Sequence, residues 1–188
     1  QRLDIGGSLK VLSLGSGPCR EWIELIQGME WKGKSRVQLT CLDRDWDALT
    51  FVRTRLSGSQ MLKSVILRHE TLLNFSQNAE WSLEPEGYNL IYGLGIADYF
   101  YNESLKKIIM RSFELIPSNG ELVVTHKDRT KFRVASAEWL CDWSFVARNE
   151  EEFTRVMFDA LSSTKLKFDW RIERDESGQM MFGIARRG

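Results

Sequence analysis

Two short stretches of the chain have residue types and a spacing that could do chemistry. The run KVLSL at 10–14 is apolar and of strand length, and it stops at Gly15, Ser16 and Gly17, where the backbone turns without side chains in the way. Gly15 and Gly17 let peptide N–H groups come close to a ligand. Pro18 then fits the first position of a helix, whose N–H would be unpaired anyway, and Trp22, Ile23, Leu25 and Ile26 give residues 20–27 an apolar face. About two dozen residues on, a second apolar strand, VQLTCL at 37–42, ends in Asp43, where a carboxylate can accept both hydroxyls of a ribose. A glycine pair alone marks only a turn, but strand, glycine turn, helix and acidic strand tip together point to a nucleoside-type ligand.

The elements that must position those residues alternate. Beyond the second strand, residues 45–56 carry Ala48, Leu49, Val52 and Leu56 on one helical stripe, with Asp45 as N-cap. SVILRH at 64–69 reads as a third strand, residues 70–75 as a helical turn, and 76–87 as a polar loop. YNLIY at 88–92 is short and apolar, as expected of a strand covered on both faces. Residues 103–116 form an amphipathic helix with Leu105, Ile108, Ile109, Phe113 and Ile116 inward, and ELVVTH at 121–126 is a fifth strand. A helix over 150–161 and strands at 165–173 and 179–186 complete the chain, the last two joined so briefly that they must be antiparallel.

Composition narrows the function classes. The 188 residues suit a single domain, and 43% hydrophobic with 28% charged residues is ordinary for a globular protein. Lys and Arg together number 26, as do Asp and Glu, so no basic field favours nucleic acid or an acidic membrane surface. No stretch approaches the roughly 18 consecutive apolar residues of a membrane span. Cys19, Cys41 and Cys141 have no C-x-x-C spacing, which argues against a disulfide framework and for a cytoplasmic compartment. His69 and His126 lack ligand spacing, and no metal is expected.

Parallel strands closed by an antiparallel hairpin resemble the class I S-adenosylmethionine-dependent methyltransferases. The fold expected is thus α/β, doubly wound, with a mostly parallel seven-stranded sheet and a C-terminal hairpin. Four stretches are more specific: LSLGSGPCREW, LDRDWDAL, YNLIYGLGIADYF and DWSFVARNEEEF. They are similar to the runs LSLGSGPCRE, LDxDxxAL, YDLIYSxGLFDYL and DWxLxYRTxxEL of the bacterial extracellular-factor hydroxypalmitate methyl ester biosynthesis methyltransferases. Asn89 stands where that pattern has Asp. A dinucleotide dehydrogenase would more often continue G-x-G-x-x-G, and Arg20 occupies the place of the third glycine.

The resemblance implies roles. Gly15, Ser16 and Gly17 would lie against the methionine and ribose part of S-adenosyl-L-methionine. Asp43 would hold the ribose hydroxyls, Arg44 would flank the adenine, and Glu70 and Thr71 would meet its amino edge. Tyr92 and Gly93 would sit beside the methionyl group and the reactive methyl. Residues 127–149 would be an insertion covering the acceptor, with Trp139 and Trp143 either lining an apolar site or forming the core face of a helix at i, i+4 spacing. Arg148 would pair with an acceptor carboxylate; His126, Asp98 and Tyr99 are the candidates if a proton must be removed. The function expected is methylation of an oxygen on a small or fatty-acid-like acceptor. Other readings are a non-catalytic S-adenosylmethionine-binding module of a larger protein and a nicotinamide-dependent dehydrogenase. Nine residues precede the first strand, and the domain at 1–188 is expected to be the C-terminal part of a longer protein.

Overall fold

Strands joined through helices must run parallel, and the sheet obeys that rule up to its last two members. The structure, a computed structural model, describes residues 9–28, 37–56, 58–59, 62–83, 86–132 and 145–188. Its strands are β1 (Leu9–Leu14), β2 (Val37–Asp43), β3 (Leu62–His69), β4 (Leu90–Gly93), β5 (Glu121–Lys127), β6 (Phe168–Arg174) and β7 (Met180–Arg187). Its helices are α1 (Arg20–Gly28), α2 (Trp46–Leu56), α3 (Leu72–Gln77), α4 (Asn102–Glu114) and α5 (Glu150–Ser163). The sheet order is β3-β2-β1-β4-β5-β7-β6; β1 to β5 are mutually parallel, and β7 lies antiparallel between β5 and β6. A dinucleotide fold would continue with a parallel sixth strand instead.

After β3 the chain crosses back and β4 pairs with β1 on the side away from β2. Order reverses between β1 and β4, and the carboxyl ends of strands flanking such a reversal leave a crevice that helices cannot fill. Lys10 N–H donates to Asn89 Oδ1 at 2.9 Å, so the asparagine ties the approach to β4 onto the start of β1.

Alternate residues of each buried strand feed two cores. On one face Val11, Leu39 and Cys41 meet Trp22 of α1 and Leu49, Val52 and Leu56 of α2. On the other, Leu12, Ile91, Leu122 and Val124 meet Phe75 of α3, Ile109 of α4 and Phe153 of α5. Asn149 begins α5 with a capping box, exchanging hydrogen bonds with Glu152.

Two local expectations change and one holds. Pro18 is not the first helical residue: Cys19 adopts φ 51, so the chain makes one more left-handed turn and α1 begins at Arg20. The polar loop at 76–87 contains a 3₁₀ turn, Ala79–Leu83, which inserts Trp81 into the core at 3% exposure. Asp45 does cap α2, its Oδ1 accepting from the N–H groups of Asp47 and Ala48 at 2.9 and 3.2 Å.

Phe153 is fully buried and its ring lies 5.4 Å from that of His126. Truncation to alanine should lower unfolding stability by about 3–5 kcal/mol, read from urea melts, because the tightly packed interface cannot collapse into the space. A loss below about 1 kcal/mol would show that α5 does not hold the sheet.

Candidate functional site

A cleft of about 510 Å³ opens at the carboxyl ends of β1, β2 and β4, where the strand order reverses. Gly15, Leu42, Asp43 and Arg44 form one wall; Glu70, Thr71, Leu72 and Leu73 form the second; Leu94, Ile96, Tyr99 and Phe100 form the third. Six candidate site residues from the sequence therefore meet here: Gly15, Asp43, Arg44, Glu70, Thr71 and Tyr99. Leu42, Ile96 and Phe100 were not among them, since an apolar wall has no signature beyond its distance from a strand end.

Asp43 organises the edge. Its Oδ2 accepts from the Gly17 N–H at 2.7 Å and its Oδ1 from the Asp45 N–H at 2.8 Å. A carboxylate offers about four acceptor positions, so two remain for other donors. Gly15 has φ 59, and a Cβ there would stand 2.9 Å from Ile96 Cγ2. Its missing side chain therefore serves the approach of the third wall. At Gly17 a Cβ would meet nothing within 4 Å, so that side of the loop is open. Ser16 is nearly buried and donates its N–H to Leu42 O at 3.0 Å, behind the cleft.

Glu70 lines the cleft with its carboxylate already engaged: Oε2 accepts from Trp81 Nε1 at 3.0 Å and Oε1 from Asn78 Nδ2 at 3.2 Å. Thr71 caps α3, its hydroxyl accepting from the Asn74 N–H at 3.1 Å. Arg44 is exposed, and its carbonyl is 2.9 Å from His69 Nε2.

Tyr92 and Gly93 do not line this cleft. Tyr92 has the opposite parity to Ile91, so its ring enters the core under α1. Its hydroxyl accepts from Trp22 Nε1 at 2.8 Å and donates to Glu21 Oε1 at 2.6 Å. Burial pushes the hydroxyl's pKa well up, and the nearby Cys19 and Glu21 add to the shift. Gly93 is covered by the Ile96 side chain, which leaves no room for a Cβ.

A second cleft, of about 420 Å³, adjoins the first and shares Leu94 and Tyr99 with it. It continues over Gly95, Thr125, Lys127, Met180 and Phe182, and its walls are mostly apolar. Antiparallel register sets Thr125 opposite Phe182 and Lys127 opposite Met180, which puts the four side chains on one face. Thr125 Oγ1 accepts from the Gly95 N–H at 2.7 Å and fixes the turn between the clefts.

Of the four residues considered for proton transfer or acceptor binding, only Tyr99 faces these clefts, and it faces both. His126 points to the other side of β5, is 1% exposed, and lies against Phe153 with Nδ1 2.6 Å from Asp98 Oδ1. Asp98 is equally buried, and its Oδ1 and Oδ2 accept from Lys127 N and Nζ at 3.0 and 2.8 Å. Burial works to raise its pKa, but the hydrogen bonds from His126 and Lys127 outweigh it and hold the carboxyl below its ordinary value. Arg148 is not an acceptor ligand. At 3% exposure it donates to Ala97 O at 2.8 Å, Phe100 O at 2.5 Å and Asn102 Oδ1 at 2.9 Å, tying down the turn that leads into α4.

Only the two ends of the insertion at 127–149 belong to the described residues; Trp139 and Trp143 lie outside them. Those ends meet. Asp128 and Arg148 form a bridge, with the Arg129 N–H donating to Arg148 O at 2.9 Å and the Asp128 N–H to Gln179 O at 2.8 Å.

No protein-family model matches the chain, and no curated protein matches its sequence. Solved structures match its shape. A possible exported protein from Bordetella parapertussis superposes with TM-score 0.70 at 17% identity, covering 95% of this chain and 61% of that one. The S-adenosylmethionine-dependent methyltransferase SibL gives 0.66 at 11%, covering 95% and 50%. Magnesium protoporphyrin IX methyltransferase from Synechocystis PCC 6803, with bound SAM, gives 0.61 at 11%, covering 97% and 71%. The chain thus spans about half to three fifths of the first two. Together with the sheet order, these matches establish the Rossmann-like methyltransferase fold.

Two outcomes follow from the buried polar cluster. Arg148→Ala strips the carbonyls of Ala97 and Phe100 of their donor and should cost about 2–5 kcal/mol in urea unfolding. Because the Asp98 pKa is depressed on folding, its contribution is complete at neutral pH and is lost as pH falls below 3.8 through the lower folded-state value. Asp98→Asn should therefore be less stable than wild type at neutral pH, with the gap narrowing toward about pH 3. A gap independent of pH would show that Asp98 is not ionised in the fold.

Proposed function

We propose that the chain is an S-adenosylmethionine-dependent methyltransferase acting on an oxygen of a small or fatty-acid-like acceptor. The observation that carries the reading is the pair of adjoining clefts: one floored by Asp43 and large enough for a nucleoside, the other apolar, the two meeting at Leu94 and Tyr99. The fold supports it, as does the bound SAM of the Synechocystis neighbour.

The residues present fit the cofactor. Asp43 would accept the ribose hydroxyls with its two remaining acceptor positions. Arg44, Thr71 and Leu72 would flank the base, and the Glu70 carboxylate, oriented by Asn78 and Trp81, would meet an amino group with a remaining acceptor position. Ser16 and Gly17 shape the loop on which Gly15 approaches the ligand. When bound, S-adenosylmethionine supplies an electrophilic methyl group on a sulfonium. The chain's own task is then to align an acceptor oxygen and exclude water, for which Leu94, Tyr99 and Phe182 are placed. His126 and Asp98 both face away from the clefts, which supports an acceptor oxygen already ionised at neutral pH.

The four sequence stretches that resemble the hydroxypalmitate methyl ester family favour a fatty acid as acceptor. In the same reading residues 127–149 cover that acceptor, and the thiols of Cys19 and Cys41 belong to a cytoplasmic protein. Among the described residues no helix is long and apolar enough to cross a membrane.

Calorimetry tests the cofactor directly. S-adenosylhomocysteine should bind and NAD should not; the reverse would replace the methyltransferase reading with a dehydrogenase. Asp43→Ala should weaken S-adenosylhomocysteine binding by roughly 1.5–3 kcal/mol, the scale of lost charge-assisted hydrogen bonds. Unchanged affinity in a folded variant would remove Asp43 from the site.

A further inference from the structure

Glu70 stands between two clefts. It lines the first, and on its other side it borders a polar cleft of about 480 Å³ together with Arg68, Asn78 and Trp81. A flexible side chain in such a place has room to swing, yet this one is held at both oxygens. Trp81 Nε1 donates to Oε2 at 3.0 Å and Asn78 Nδ2 to Oε1 at 3.2 Å. The Glu70 N–H is bonded to the Asp43 carbonyl at 3.0 Å, which ties the backbone beneath it to β2.

Both donors are themselves fixed. Trp81 is buried, lies edge-on to Phe75 with ring centroids 5.1 Å apart, and has the Arg68 guanidinium 5.2 Å from its ring centre. Asn78 Oδ1 accepts from the Glu80 N–H at 2.9 Å, so the amide turns its NH₂ end to Glu70. The Asn78 main chain is anchored as well, its carbonyl accepting from Arg111 Nη2 at 2.6 Å and its N–H reaching Asn74 O at 2.8 Å.

A carboxylate at neutral pH only accepts hydrogen bonds, and the indole and the amide leave each oxygen a further acceptor position. Fixed in place, such a group discriminates between purines. The 6-amino group of adenine is a donor and satisfies it, whereas a 6-oxo purine presents an acceptor at the same spot. The oxo base carries its donor one atom further round the ring, at N1. A loose glutamate would follow that donor; a clamped one is left facing a second acceptor. We infer that Trp81 and Asn78 are positioning residues which, acting through Glu70, make the first cleft select a 6-aminopurine over a 6-oxopurine. The inference rests on the methyltransferase reading for bringing the base to Glu70; the selection is the work of two side chains that no sequence motif marks.

S-adenosylhomocysteine and S-inosylhomocysteine, which differ only in the base, are compared by calorimetry. The wild-type protein should bind the adenosyl ligand about ten-fold more tightly or better. In Trp81→Phe, which keeps a ring in the core without its N–H, and in Asn78→Ala, that preference should shrink by about three-fold or more, with the adenosyl ligand losing and the inosyl ligand holding its affinity. A merely structural loss would weaken both ligands alike and leave the ratio untouched, so a ratio that holds in either folded variant overturns the inference. A wild-type preference below that ten-fold overturns it without any variant. Should Trp81→Phe fail to fold, Asn78→Ala, at a half-buried position, decides. If neither ligand binds, the methyltransferase reading falls and takes the inference with it; if S-adenosylhomocysteine binds without preference, the reading stands and the inference alone falls.

Discussion

One carboxylate sets the geometry of the ligand edge. Asp43, at the end of β2, holds the Gly17 peptide from one oxygen and the Asp45 peptide from the other, so the glycine turn after β1 and the start of α2 are fastened to the same group. Asp45 in turn caps α2. The Glu70 N–H reaches the Asp43 carbonyl at 3.0 Å and brings in the segment that follows β3. Three consecutive strand ends are thus registered on a single residue, and the first cleft has a defined shape before anything enters it. Such preorganisation lowers the ordering cost of binding.

The sheet separates the jobs by parity. On β5, Thr125 and Lys127 face the apolar cleft, while His126 between them faces Phe153 and Asp98. On β4, Ile91 supports the α4 and α5 layer while Tyr92 locks α1 through Trp22 and Glu21. Polar groups in the layer behind the cleft thus act as scaffolding: Arg148 satisfies the turn carbonyls, and Asp98 aims a lysine. Charged residues become buried only with such pairing.

Fold and site were legible in the sequence to different depths. The alternation of strands and helices could be read because each crossover changes the hydrophobic period, and the short link between β6 and β7 forced antiparallel pairing. Asp43 was legible as the carboxylate at a parallel strand's end, whereas Arg44, Glu70 and Thr71 were named from the family resemblance; all four line the first cleft. Tyr92 turns into the core under α1 rather than lining the first cleft, and alternation along YNLIY does not foretell it, because Tyr88 precedes the strand and packs on the opposite face. Arg148 had no signal either. Its partners, Ala97, Phe100 and Asn102, lie some forty-six to fifty-one residues away, and only the folded chain brings them within reach. The left-handed Cys19 was equally hidden, since proline followed by a polar stretch reads as a helix start.

The closed neck of the segment between β5 and α5 has a consequence for how such a molecule can diversify. Asp128 and Arg148 are bonded to each other and, through Gln179, to the hairpin, so the sheet ends at a stapled collar. Whatever chain the collar holds can lengthen or shorten with little penalty, about 0.6 kcal/mol for each doubling of a flexible loop. The Asp43 edge lies on other strands and does not register the change. Natural variation can therefore retailor the chain between the two halves of the collar while the Asp43 edge is inherited unaltered, as a lens mount accepts different lenses on one camera body.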